Sequence, residues 1–267
     1  MALAGATGFL LPAGRAILAP VKLVALVRPP ADPPVVVKLL CEAAGFAPAE
    51  ARMRLAGEPP YVVARLPDEA APDLVARLSA CGCAALSVGA EPPGDEDRFL
   101  VRTLEFPPGS VILRPRAGEE RRLAGEDIRL LLRGVAIGHE TRVHTEKQRR
   151  LSLGKALLTQ GLSITKVEKK EIQVETETAD QFVLVYPDPA RGRAAILYES
   201  EVAFACLGRE VQPSRLANLN LVTQKLRSLA PRARFDDRLL RLSRRGGDRA
   251  PDVIAEVLWQ ALLQGLL

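Results

Sequence analysis

Apolar and polar residues alternate in short blocks over the first ninety residues of the chain. They predict strands over Val21–Val27, Tyr61–Arg65 and Cys83–Val88, and helices over Val35–Ala44, Pro48–Ala56 and a segment capped by Asp68. Gly45, Gly57 and Gly82 follow the three helices, and glycine commonly ends a helix. The predicted order, β-α-α-β-α-β, is typical of an α+β sandwich with helices on one side of a small sheet.

A turn-rich acidic stretch follows this first group of elements. Residues 91–97 combine two prolines and a glycine with four acidic residues, so they can form neither a β-ladder nor an apolar face. We therefore predict a first domain over 1–90 and a linker over 91–97. A chain of 267 residues is long enough for two such domains.

The chain beyond the linker is rich in β-branched residues separated by turns. The predicted strands are Phe99–Leu104, Val111–Pro115, Asp127–Gly138, Leu162–Val167, Ile172–Glu177, Gln181–Tyr186 and Ala194–Tyr198. A helix follows, with apolar residues at spacings of three and four from Leu216 to Leu229, and Pro231 ends it. These elements predict a β-rich barrel or sandwich over 98–231 that is closed by a helix.

The last segment, 232–267, combines a basic stretch with an apolar helix. From Pro251 onward the polar positions are Asp252, Glu256, Gln260 and Gln264, and apolar residues cover the rest of the circumference. Such a helix must be buried on more than one side. Internal burial is favoured, and docking of the 251–267 helix on another copy, as a homo-oligomer, is the alternative.

Residues 36–88 resemble the C-terminal domain of the bacterial ribosomal stalk protein, whose fold is shared with ClpS-type protease adaptors. The resemblance rests on the apolar-apolar-Lys pattern Val36-Val37-Lys38, on Gly45, and on the short helix with Glu50 and Arg52. In the stalk family this module docks other proteins through basic residues on its two short helices. The resemblance therefore implies that Lys38 and Arg52 bind a partner.

The second domain is weakly similar to the pleckstrin-homology superfold, in which one helix plugs an open barrel. The similarity rests on Gly125–Leu130 and on the helix from Asn218 to Leu226. Domains of this kind bind phosphoinositides or proteins through basic loops between early strands, and residues 142–155 occupy such a place.

Charge is unevenly distributed along the chain. The formal net charge is +5, and the excess of basic residues lies beyond the linker. One cluster of candidate anion-binding residues comprises Arg142, Lys147, Arg149, Arg150, Lys155, Lys169 and Lys170. A second cluster, Arg232, Arg234, Arg238, Arg241, Arg244 and Arg245, follows the long helix. An acidic protein is the expected partner, with anionic lipid or nucleic acid as alternatives, because stacking aromatics are scarce.

No recognised catalytic constellation is present in the sequence. A phosphate-binding loop and a Gly-x-Ser-x-Gly elbow are both missing. His139 and His144 stand at odd spacing, so an extended strand places them on opposite faces, which argues against a shared metal. The four cysteines are interpreted as small core residues.

These observations predict a non-catalytic protein-interaction or scaffolding factor with a basic docking face and no cofactor. The alternative is a binder of anionic membrane surfaces or nucleic acid through the basic 142–155 loop. The apolar residues 1–20 carry their one charge, Arg15, late, unlike a secretory signal, and no uncharged segment reaches bilayer-spanning length. A cytoplasmic location with reduced cysteines is expected.

Overall fold

A computed structural model describes residues 20–151, 165–242 and 250–267, with the backbone alone over 138–151 and 165–178. The chain divides into two compact units, Met1–Glu91 with Gln264–Leu267, and Pro92–Leu263. Helices and strands both occur in the described residues, which confirms the α+β class.

From residue 20 onward, the first unit contains three strands and three α-helices. In chain order they are β1 (Val21–Leu26), α1 (Pro33–Ala44), α2 (Pro48–Arg54), β2 (Tyr61–Pro67), α3 (Ala71–Ala80) and β3 (Ala85–Gly89). The sheet has the order β2-β1-β3, and β1 is antiparallel to both neighbours. Apolar side chains from both the helices and the strands form its core, among them Val24, Leu40, Val63 and Leu78.

Local side-chain chemistry sets the ends of these helices. Asp32 caps α1 by accepting a hydrogen bond from the Val35 backbone N–H at 3.2 Å, and Gly45 ends α1 in the left-handed conformation. The predicted cap of α3 is wrong. Ala70 occupies that position, and the Asp68 carboxylate instead pairs with Lys22 Nζ at 2.9 Å.

The described part of the second unit contains two sheets and three α-helices. Its elements are β4 (Phe99–Leu100), β5 (Thr103–Glu105), β6 (Ser110–Arg114), β7 (Arg121–Ala124), β8 (Ile128–Leu151), β9 (Thr165–Pro187), β10 (Ala195–Tyr198), α4 (Arg215–Leu229), β11 (Arg234–Arg238), α5 (Leu239–Leu242) and α6 (Pro251–Leu263). A five-stranded sheet has the order β11-β8-β9-β10-β4, and a three-stranded sheet has the order β5-β6-β7.

The pair β8 and β9 is longer than the sequence predicts. The two strands run antiparallel from the pair Ile128–Pro187 to the pair Leu151–Thr165. The predicted connection over 142–155 is therefore wrong for residues 142–151, which lie in β8, and the separate strands predicted between 165 and 187 are one strand. No glycine or proline interrupts 139–151 or 165–186, and scattered Val and Thr residues favour extended backbone.

Helix α4 packs its apolar stripe into the core of the second unit. Leu219, Val222 and Leu226 are fully buried in the same cluster as Leu131 and Val183. The expectation that this helix is the last element of its domain is wrong, because β11 follows it and pairs in parallel with β8. The segment 232–238 is mostly charged, so no apolar alternation reveals this strand in the sequence.

Helix α6 buries most of its apolar surface. Val253, Ile254, Val257 and Leu258 are at most 4% exposed. Trp259 stacks on Tyr186 of β9, with ring centroids 4.9 Å apart. These contacts fit internal burial, and a homo-oligomer through this helix stays a prediction.

Candidate functional site

A basic cleft lies in the second unit, where β8 begins, β9 ends and α6 ends. It has a volume of about 330 Å³ and is lined by Arg129, Asp188, Pro189, Arg232, Arg234, Leu262 and Leu263. Three arginines and one carboxylate give the lining a net positive charge, and the two leucines and the proline give it an apolar part.

One arginine of the cleft is held by a carboxylate. Arg129 Nη2 and Nε donate to Asp188 Oδ2 at 2.7 and 3.2 Å. Asp188 also caps the short helical turn after β9, where its other oxygen accepts from the Ala190 backbone N–H at 3.1 Å. The Arg129 guanidinium and this backbone bond hold the pKa of the Asp188 carboxyl below its usual range.

The other two arginines are differently placed. Arg232 and Arg234 are exposed, and within the described residues neither makes an ion pair or a side-chain hydrogen bond. Pro231 ends α4 just before them, and Arg234 is the first residue of β11. Leu263, on the apolar side of the cleft, is 47% exposed. The cleft therefore presents two uncompensated guanidinium groups beside an open apolar surface.

Three cavities lie beside α4. They have volumes of about 660, 600 and 480 Å³, Gln224 lines each of them, and we refer to them together as the groove beside α4. Phe235 of β11 lines two of them, and the Arg227 guanidinium lies over its ring at 4.3 Å. This groove is closer to neutral than the cleft, because two carboxylates, Glu210 and Asp237, accompany its three basic residues, and Lys225 pairs with Glu210 at 2.7 Å.

No protein-family model, curated protein or solved structure matches the chain.

The second basic cluster predicted from sequence separates into distinct roles. Arg232 and Arg234 line the cleft. Arg238 instead pairs with Asp236 at 2.7 Å, and Arg241 pairs with Asp237 at 3.3 Å. Arg244 and Arg245 lie outside the described residues. Arg129 is not among the predicted site residues, because it stands alone among apolar residues at the start of β8.

The first basic cluster lies mainly in the paired strands β8 and β9. Arg142, Lys147, Arg149 and Arg150 belong to β8, Lys169 and Lys170 belong to β9, and Lys155 lies outside the described residues. The register pairs Lys147 with Lys169, and Glu146 with Lys170. Acidic residues are thus interleaved with the basic ones in this paired segment.

The predicted partner-binding residues of the first unit lie on neighbouring helices. Lys38 belongs to α1 and Arg52 to α2, and both are exposed. Two apolar residues are also exposed on these helices, Val35, three positions before Lys38, at 43%, and Met53, next to Arg52, at 67%. An exposed docking face on these helices stays a prediction.

The cysteines differ from the predicted set of core residues. Cys81, the first residue beyond α3, is exposed, so this part of the prediction is wrong. Burial, and then the neighbouring Cys81, raises the pKa of the Cys83 thiol, and burial raises that of Cys206 to about 11. These shifts oppose thiolate formation in both residues.

The described side chains include no group of three or more His, Cys, Asp or Glu residues placed to hold a metal ion. Over 20–151, 165–242 and 250–267, no helix has both the length and the apolar character needed to cross a membrane.

Proposed function

We propose that the protein is a non-catalytic binding protein whose second unit recognises an acidic partner protein at the basic cleft. The observation that carries this proposal is the pair Arg232 and Arg234, exposed and without an acidic partner among the described residues. A guanidinium binds a carboxylate through two parallel hydrogen bonds, so each arginine can take one acidic side chain.

The apolar part of the cleft favours a protein partner over a polyanion. Leu262, Leu263 and Pro189 can cover an aliphatic side chain next to an acidic one, and nucleic acid offers no such group. Binding of single-stranded nucleic acid also needs stacking aromatics, and the lining of this cleft contains none. An acidic segment with interspersed aliphatic residues fits both parts of the lining.

Fluorescence anisotropy with a defined peptide tests this proposal. The probe is a fluorescein-labelled peptide of alternating Glu and Val residues, and the variant is Arg232→Glu/Arg234→Glu in the full chain. We expect affinity to fall roughly tenfold or more, because two charge-assisted contacts become repulsive.

The control variant is Arg116→Glu/Arg209→Glu, which makes the same change in net charge at two exposed arginines of the second unit. We expect it to change the affinity by less than about threefold at physiological salt, where distant charges are screened. Equal losses in both variants, or no loss in the first, would contradict recognition at the cleft.

The second candidate function is binding of an anionic membrane surface or nucleic acid through residues 142–151. Two pairs in the register favour it, Lys147 with Lys169 and Arg150 with Lys166, because like charges opposite one another destabilise a strand pair and a bound anion would relieve that repulsion. Retention on heparin and on anionic vesicles, compared between the native chain and Lys147→Glu/Arg149→Glu/Arg150→Glu, tests it. Unchanged retention would contradict this second function and leave recognition at the basic cleft as the remaining candidate.

A further inference from the structure

Strand β11 is an edge of the five-stranded sheet. The sheet order ends with it, and over the described residues it pairs only with β8, through Arg234–Leu130, Phe235–Leu131 and Asp236–Leu132. An edge strand leaves one row of backbone N–H and C=O groups unpaired, and an extended segment can pair with that row. Among the described residues no other strand pairs with the outer edge of β11, so this edge is available for such pairing, except that the Arg238 backbone N–H already donates to Asp236 Oδ1 at 3.0 Å.

The side chains around β11 alternate between two surfaces. Arg232 and Arg234 line the basic cleft, whereas Ala233, Phe235 and Asp237 line the groove beside α4. Successive residues of a strand face opposite sides of a sheet, which accounts for this division. One edge strand thus has a concave surface on each face, basic on one and nearly neutral on the other.

From this arrangement we infer that the acidic partner binds as an added strand along β11. The inference rests on the proposed function and specifies its geometry. Backbone hydrogen bonds to β11 supply part of the affinity, and the partner's alternate side chains enter the two surfaces. Acidic residues at every second position lie toward Arg232 and Arg234.

The intervening residues of the partner lie toward the groove. Phe235 and the neighbouring Gln224 offer an apolar ring and an amide there, while Arg227 is already engaged with the Phe235 ring. Uncharged, β-branched residues suit this surface and also favour extended backbone. The preferred segment is therefore an alternation of Glu or Asp with Val, Ile or Thr, and the five residues of β11 limit its length.

Backbone methylation of the probe peptide separates strand addition from side-chain recognition. Alternate N–H groups of a strand point to opposite edges, so only one set, that of the Glu residues or that of the Val residues, faces β11. We compare two peptides of alternating Glu and Val, one N-methylated at the Glu amides and the other at the Val amides. The peptide methylated at the amides that face β11 should lose roughly tenfold or more in affinity, because a backbone carbonyl of β11 is then desolvated without a hydrogen-bond donor. The other peptide should lose less than about threefold.

Hydrogen exchange supplies the second readout. Binding of the unmodified peptide should slow amide exchange in Arg234–Arg238 and leave β7, the edge of the other sheet, unchanged. Equal effects of the two methylated peptides, or no added protection in β11, would overturn strand addition. If Arg232→Glu/Arg234→Glu still abolishes binding in that case, the proposed function stands without this geometry. If that variant binds normally, the proposed function itself fails.

Discussion

Arg98 Nη1 lies 2.7 Å from Asp252 Oδ1, and the Arg98 side chain is only 3% exposed. Arg98 immediately precedes β4, and Asp252 lies in the first turn of α6. Burial by itself would lower the pKa of Arg98, but the Asp252 carboxylate outweighs it, and the pKa is raised. This ion pair therefore ties the start of α6 to the edge of the sheet.

Asp252→Asn should destabilise the second unit by about 1–3 kcal/mol, because it leaves a buried guanidinium without its nearest carboxylate. Asp95, at 3.5 Å from Arg98, remains as a weaker partner and therefore limits the loss of stability. Urea unfolding followed by fluorescence measures this, since Trp259 is the only tryptophan of the chain and lies on the same helix. Glu119→Gln is the control, an exposed carboxylate without an ion pair among the described residues. Equal unfolding midpoints for the two variants would show that the Arg98–Asp252 ion pair does not stabilise the second unit.

Gly125→Ala should also destabilise the second unit. A Cβ at this position would lie 2.0 Å from the carbonyl oxygen of Leu229, the last residue of α4, and backbone cannot move aside as a side chain can. Overpacking of this kind costs about 1–3 kcal/mol. Gly89→Ala is the matched control, since its Cβ would come no closer than 3.7 Å to another atom. Thermal unfolding measures both variants. Equal decreases in the melting temperatures of Gly125→Ala and Gly89→Ala would contradict the close approach.

The elements of the first unit follow closely from the sequence. The helix predicted over Val35–Ala44 is observed as Pro33–Ala44, because proline, an Asp cap and a terminal glycine act locally. The strands that the sequence did not predict, β7 and β11 of the second unit, depend on long-range pairing. Strands β7 and β11 are short and charged, so only their neighbours in the sheet identify them as strands.

The candidate site was only partly predictable for the same reason. The basic cluster after α4 is visible in the sequence, but which of its arginines are neutralised depends on folded geometry. Arg238 forms an ion pair with Asp236, two residues away, whereas Arg234, on the same strand, forms no ion pair with a carboxylate among the described residues. The leucines that complete the cleft come from α6, and no periodicity in 232–238 points to that helix.

Alkylation rates should distinguish the cysteines. Cys81 is exposed, whereas burial raises the pKa of Cys206 to about 11, which leaves little thiolate near neutral pH. Under native conditions at about pH 8 we expect iodoacetamide to modify Cys81 at least tenfold faster than Cys206, as measured by mass spectrometry of peptides. Unfolding in urea should bring the two rates together. Equal rates in the folded protein would show that Cys206 is accessible.

The bond between Arg129 and Asp188 predicts a specific pH dependence. Because the pKa of Asp188 is lowered in the folded protein, its stabilising contribution is complete above the unfolded value of about 3.9 and is lost as the pH falls through the lower folded value. The difference in melting temperature between the native chain and Asp188→Asn should therefore be constant from about pH 7 to pH 5 and shrink below about pH 4. Arg129→Gln removes the same bond from the other side, so it should show a similar loss with the same pH profile. A difference that grows as the pH falls would mean that the Asp188 carboxylate is destabilising in the folded state, which its two bonds to Arg129 oppose.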